Sequence, residues 1–199
     1  MIFSTNVLIN NFKDFADPYG KIRRLVQKRE LILLSKGLYT DDKHISGFYV
    51  ANAIYGPSYI SFNSALSYWG MIPEAVYSIT SATTKKLKKK HYSNDIADFT
   101  YRDVPPEVYP YGIRIINENG YSFMIASPEK ALCDKLYDLP IIKTQKELIR
   151  VLFDDLRLDI DCFEKLNRDD IYFLAAKYHS NNIKLLEKYM RRLDREQCN

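Results

Sequence analysis

The sequence predicts an α+β protein: a short N-terminal winged-helix-like unit followed by a larger mixed domain with a small β-sheet and a C-terminal helical layer. Three observations carry this. Apolar residues recur at helical spacing before residue 28, the period changes to two between 76 and 126, and helical spacing returns beyond 127. The chain has 199 residues, 46% hydrophobic and 27% charged, which suits a folded protein and excludes disordered or fibrous classes.

Leu8, Ile9, Phe12 and Phe15 predict a first short helix. Asp17 followed by Pro18 reads as a cap and first-turn pair, because Asp accepts from a free amide and Pro has no N–H to leave unpaired. The helix they start runs from Pro18 to about Lys28, with Tyr19, Ile22, Leu25 and Val26 as its apolar stripe and Lys21, Arg24 and Lys28 on another face. Leu31–Leu34, Ser35-Lys36-Gly37 and Leu38–Thr40 read as a compact hairpin with Lys36 at its tip. Helix, helix, basic hairpin is the end of a winged helix-turn-helix. The polar, Gly-terminated DDKHISG at 41–47 is the candidate linker, dividing 1–44 from 45–199.

In the second unit, Phe48–Tyr55 predicts a helix ending at Gly56-Pro57, and Ser61 is expected to cap another carrying Phe62, Ala65, Leu66 and Trp69. Alternation over 76–83 and at Phe99 and Tyr101 predicts strands. Ile113–Asn117, Asn119-Gly120 and Tyr121–Ala126 form a hairpin signature, since Asn-Gly tolerates the positive φ of tight turns. Ser127 caps the next helix, and Thr144 with Glu147 makes a capping box for a helix burying Leu148, Ile149, Leu152, Phe153 and Leu156. Asn167 starts a helix with Ile171, Leu174, Ala175 and Tyr178 inside. The last helix carries Ile183, Leu186, Met190 and Leu193 opposite Lys184, Lys188, Arg191 and Arg195.

The net charge is +4 and unevenly placed. Residues 1–47 hold eight Lys/Arg against five Asp/Glu, and 84–102 hold six against two, while 103–199 are slightly acidic. The cationic set Lys21, Arg23, Arg24, Lys28, Arg29 and Lys36 is the candidate DNA-binding surface. Lys85, Lys86, Lys88, Lys89 and Lys90 crowd five ammonium groups into six positions, a contact for nucleic acid or another partner. The bland reading of that run is a loop that keeps a sheet edge soluble.

Catalytic chemistry has no visible seat. His44, His91 and His179 show no metal-binding spacing, and Gly-rich phosphate loops and the nucleophile elbow are lacking. Asp154, Asp155, Asp159 and Asp161 lie at a helix end and turn without the Gly and Glu of a calcium loop. Glu129-Lys130 lacks a partner acid at strand spacing, so Glu129 reads as a helix-start residue. Cys133, Cys162 and Cys198 form no CxxC and read as free thiols. No metal or cofactor is expected. No apolar run nears the length of a membrane span and the start has no leader pattern, so a cytoplasmic protein is expected.

The run YGPSYISFNSALSYWGMIPEAVYSITSATTKK, 55–86, followed by YGIRIINENGYSFMIASPEKALCDKLY, 111–137, resembles the AbiEi-type antitoxin family of type IV toxin-antitoxin systems. The likeness covers roughly 45–195 and rests on YIS with SALSYWG, then SATTKK, then ASPEKALCD, in the family's order. It implies an N-terminal winged helix that binds operator DNA and represses its own operon, and a C-terminal antitoxin domain that counteracts a nucleotidyltransferase-like toxin without a stable complex. Such a protein would serve phage defence, and the family brings no catalytic residues. About 28 residues precede the hairpin here, enough for two helices rather than the usual three. The alternative function is an RNA- or protein-contacting factor that protects toxin targets, or a remote nuclease-like enzyme.

Overall fold

The computed structural model of the chain describes residues 1–74 and 76–197 and has mixed α+β architecture. Cys198 lies outside the described residues. The N-terminal unit runs β1 (Ile2–Ser4), α1 (Thr5–Asn11), α2 (Pro18–Gln27), β2 (Ile32–Ser35), β3 (Leu38–Thr40), with the antiparallel strand order β1-β3-β2. Two helices and a turn are thus followed by a hairpin, and β1 supplies a third strand. Ser4 caps α1 through the Val7 N–H, and Asp17 caps α2 through the Gly20 N–H at 2.8 Å; each such cap contributes about 1 kcal/mol.

The first helix is shorter than its apolar spacing suggests. It ends at Asn11, and Phe15 lies exposed in the turn, packed edge-on against Phe12. The two faces of the three-stranded sheet pack against different cores. Phe3 and Tyr39 pack with Leu8, Ile22 and Leu31 under the helices, whereas Ile2, Ile32 and Leu38 pack against the main core of the protein. Segment 41–46 is pinned rather than slack: Ile45 is buried in the main core and Tyr121 donates its hydroxyl hydrogen to Asp42. Leu34, in the hairpin, enters that core too, and Asn94 donates to its carbonyl at 2.8 Å.

The larger part contains α3 (Gly47–Ile54), β4 (Tyr59–Ile60), α4 (Phe62–Tyr68), β5 (Ser78–Thr83), β6 (Lys90–Ser93), β7 (Asp98–Asp103), β8 (Ile113–Glu118) and β9 (Tyr121–Ala126). Its sheet has the order β6-β7-β5-β4-β9-β8. β5 with β7 and β4 with β9 are parallel, and the other neighbours are antiparallel. The expected hairpin is β8 and β9, with Asn119 and Gly120 both at positive φ. β4 is only two residues long, yet Tyr59 and Ile60 are fully buried at the centre of the sheet.

The helical layer comprises α5 (Pro128–Asp138), α6 (Gln145–Arg150), α7 (Ile160–Glu164), α8 (Arg168–Tyr178) and α9 (Asn181–Gln197), and α6 continues into a π-helical turn over Val151–Asp155. Ser127, Thr144 and Asn167 all cap as their residue types require. The capping box is offset by one, because Glu147 accepts from the Lys143 N–H. Asn182 is buried and binds the carbonyls of Leu136 and Pro140 and the N–H of Ile142, which fixes the path leaving α5. Among the described residues no helix is long and apolar enough to cross a membrane.

Candidate nucleic-acid interface

At about 100° per residue, Lys21, Arg24 and Lys28 fall within an arc of about 60° on α2, turned about 100° or more from the buried Ile22 and bordered by Leu25. Arg23 stands on the other flank, lining a groove of about 320 Å³ with Ile22, Val26, Leu33 and Tyr39. Tyr19 lines it as well and is 63% exposed, so it does not join the core as its spacing predicts. The groove is open at that end. Arg29 takes a left-handed conformation, φ 57°, and ends the helix.

Arg23, Arg24, Lys28, Arg29 and Lys36 are exposed, and Lys21 is half-buried with its ammonium 5.2 Å from the centre of the Phe15 ring. Among the described residues none of the six forms an ion pair. Gly37, at φ 83°, turns the hairpin, and its carbonyl accepts from the Thr5 N–H at 2.9 Å. Lys36 is therefore held at the start of α1, while Arg29 lies in the turn that leads from α2 to β2.

The lysine run is more braced than a free loop. Asp103 accepts from the Lys86 and Leu87 N–H groups at 2.7 and 2.6 Å and from the Thr83 hydroxyl at 2.6 Å. Lys86 lies over the Tyr55 ring, Lys89 reaches Asp138 at 3.4 Å, and Lys90 belongs to edge strand β6. Lys85, Lys88 and Lys90 remain exposed around Leu87, which is 92% exposed. Lys85 and Leu87 both take positive φ. The run does not converge with the N-terminal set: Asn94, just past the other end of β6, is what meets the hairpin.

A buried polar cluster lies beneath the motif segments. Lys130 and Asp134 are fully buried one turn apart on α5, with Nζ 3.0 Å from Oδ1. Lys130 also donates to the Tyr178 hydroxyl at 2.6 Å, and Tyr178 donates to Asp134. Tyr59 and Ser61 donate to the other carboxylate oxygen at 3.0 and 2.6 Å. Ser61 consequently does not cap α4, correcting the expectation from its position; its hydroxyl is spent on Asp134 and the next residue, Phe62, takes φ 55°. Burial and the neighbouring Asp134 carboxylate push the phenols of Tyr59 and Tyr178 well above their ordinary value. The cluster binds strand, α5 and α8 together and has no exposed nucleophile.

Gly112, at φ 67°, shows how closely the chain passes this cluster: a Cβ there would sit 2.8 Å from the Lys130 Cβ. Glu129 accepts from the Asn167 N–H at 3.1 Å, linking the start of α5 to the start of α8. Asp159 caps α7 through the Cys162 N–H, and Asp155 lies 4.0 Å from Arg150. Among the described residues no three His, Cys, Asp or Glu side chains group as metal ligands. His91 faces Asp98 at 3.6 Å, and His179 ends α8 at φ 50°. Cys133 is buried and Cys162 half-buried, both unpaired thiols, and burial raises the Cys133 thiol.

The Lys130–Asp134 spacing of four is visible in the sequence, but its three hydroxyl partners come from 44 to 75 positions away and carry no local signal. No family model and no curated protein matches this chain.

Proposed function

We propose that the chain is a non-enzymatic antitoxin of the AbiEi type that binds the operator DNA of its own operon through the N-terminal unit and counteracts a nucleotidyltransferase-like toxin through the remainder. The carrying observation is the set of exposed cations on α2 and the hairpin tip, without acidic partners among the described residues. In this reading α2 is the second helix of a helix-turn-helix, the element that enters a major groove in such units, and it offers Arg24 and Lys28 to phosphates directly and Lys21 from its place over the Phe15 ring. The motif order at 55–137, which resembles the antitoxin family, supports assigning the remainder the role of opposing the toxin.

The test has two arms. The protein is titrated onto the DNA upstream of its gene, and a nucleotidyltransferase-like reading frame adjacent to that gene, which the proposal requires, is expressed with and without it. Retention of the upstream fragment over unrelated DNA, together with restored growth, is the expected pair of results. A lack of retention at low salt overturns autoregulation, and undiminished toxicity overturns antitoxin action. The exposed Lys85, Lys88 and Lys90 around Leu87 favour a second reading, protection of the toxin's RNA or protein targets. Charge reversal of those lysines that leaves protection intact removes it.

A further inference from the structure

We infer that β8 is a self-complementary edge through which two copies of this chain pair antiparallel into one continuous sheet. The two edges of the sheet differ in a way that edge protection explains. β6 is four residues long and adjoins the lysine run, the usual guard against edge pairing, whereas β8 is six residues long with neither Lys nor Pro. Ile115 on β8 is 70% exposed.

The register follows from the hairpin. Asn119 and Gly120 take φ 51° and 80°, so the turn closes on Glu118 and Tyr121 as a hydrogen-bonded pair. Alternation along the ladder makes Ile115 and Met124 a non-bonded pair. The Met124 N–H accordingly leaves that ladder and donates to Asn52 Oδ1 at 2.7 Å. The N–H and C=O groups of Ile113, Ile115 and Asn117 therefore face outward, and among the described residues none of them has a partner.

A two-fold axis at Ile116 sets Ile115 against the second copy's Asn117 as a bonded pair, in both directions. The same register places Arg114 opposite the second copy's Glu118, twice by symmetry, in the non-bonded positions where side chains approach most closely. Both residues are exposed and lie on one face, Arg114 over the Trp69 ring and Glu118 accepting from the Tyr68 hydroxyl. Moving the axis to Ile115 would set Arg114 against Ile116, and moving it to Asn117 would set Glu118 against Ile116. Charge complementarity thus selects one register and one occupant, a second copy, by strand addition.

Sedimentation equilibrium of the full chain tests this. The expected species at roughly 100 µM has twice the chain mass of 23.3 kDa. Arg114→Glu alone and Glu118→Arg alone should each weaken the dimer on the order of 30-fold, since attraction becomes repulsion at two symmetric places. The combined swap should return it to within about threefold of wild type. Ile115→Lys, at a solvent-exposed position, should abolish pairing without touching the core. A monomeric wild type overturns the inference, as does a dimer unmoved by the single reversals or a double swap that fails to recover.

Discussion

Asp134→Ala removes the acceptor shared by Lys130, Tyr59, Ser61 and Tyr178. Lys130, fully buried, would keep a single hydrogen-bond acceptor, the Tyr178 hydroxyl at 2.6 Å. Breaking one side of a buried ion pair costs about 3–5 kcal/mol, and each stranded hydroxyl adds up to roughly 1–3 kcal/mol, not additively. Against a total stability of about 5–15 kcal/mol, the variant should be unfolded or barely folded at 25 °C. Urea unfolding followed by far-UV circular dichroism reads this directly. Lys130→Met with Asp134→Asn removes both charges at nearly unchanged volume, keeps an amide oxygen for the hydroxyls, and should recover at least about 2 kcal/mol relative to Asp134→Ala. A loss below about 1 kcal/mol for Asp134→Ala, or no recovery in the double variant, refutes the claim that this cluster couples sheet to helices.

Gly112→Ala forces a left-handed alanine against Lys130 and should cost about 2 kcal/mol, a Tm fall of roughly 4–8 °C by calorimetry. At high pH the sign follows from the tyrosines: Tyr59 and Tyr178 have raised folded values, so their contribution is complete below about pH 10 and is lost as pH climbs through those values. A spectrophotometric titration should show their phenolate absorbance appearing only as the fold is lost, whereas Tyr121, held by Asp42 and pushed up to about 12, ionises earlier. Cys133 should resist Ellman's reagent in the folded protein and react on unfolding, while Cys162 reacts without it.

Local chemistry was the legible part of this fold. Asp17, Ser127, Thr144 and Asn167 cap the helices their residue types announce, and Asn119-Gly120 turns the hairpin where its φ requirements place it. What escaped depends on partners distant in the chain. β1 is three residues long, too short to show a period, and exists because Ile2, Phe3 and Ser4 pair with β3. Ser61 reads as a cap until Asp134 competes for its hydroxyl. The lysine run reads as a free polycation, yet Asp103 and Asp138, supplied by β7 and α5, shape it. The basic face of α2 was legible in its residues, because helical periodicity gathers Lys21, Arg24 and Lys28 and sets them apart from Ile22 and Val26, with Leu25 at the border between the two faces.

The salt dependence of binding to the upstream DNA bears most directly on the role of that face. Wild-type protein should lose affinity linearly in log K against log salt, and the Lys21→Ala, Arg24→Ala, Lys28→Ala triple variant should bind more weakly with a slope flatter by about 2.7, three phosphate contacts at about 0.9 each. A wild type that is not retained even at low salt, or a triple variant with an unchanged slope, would contradict it.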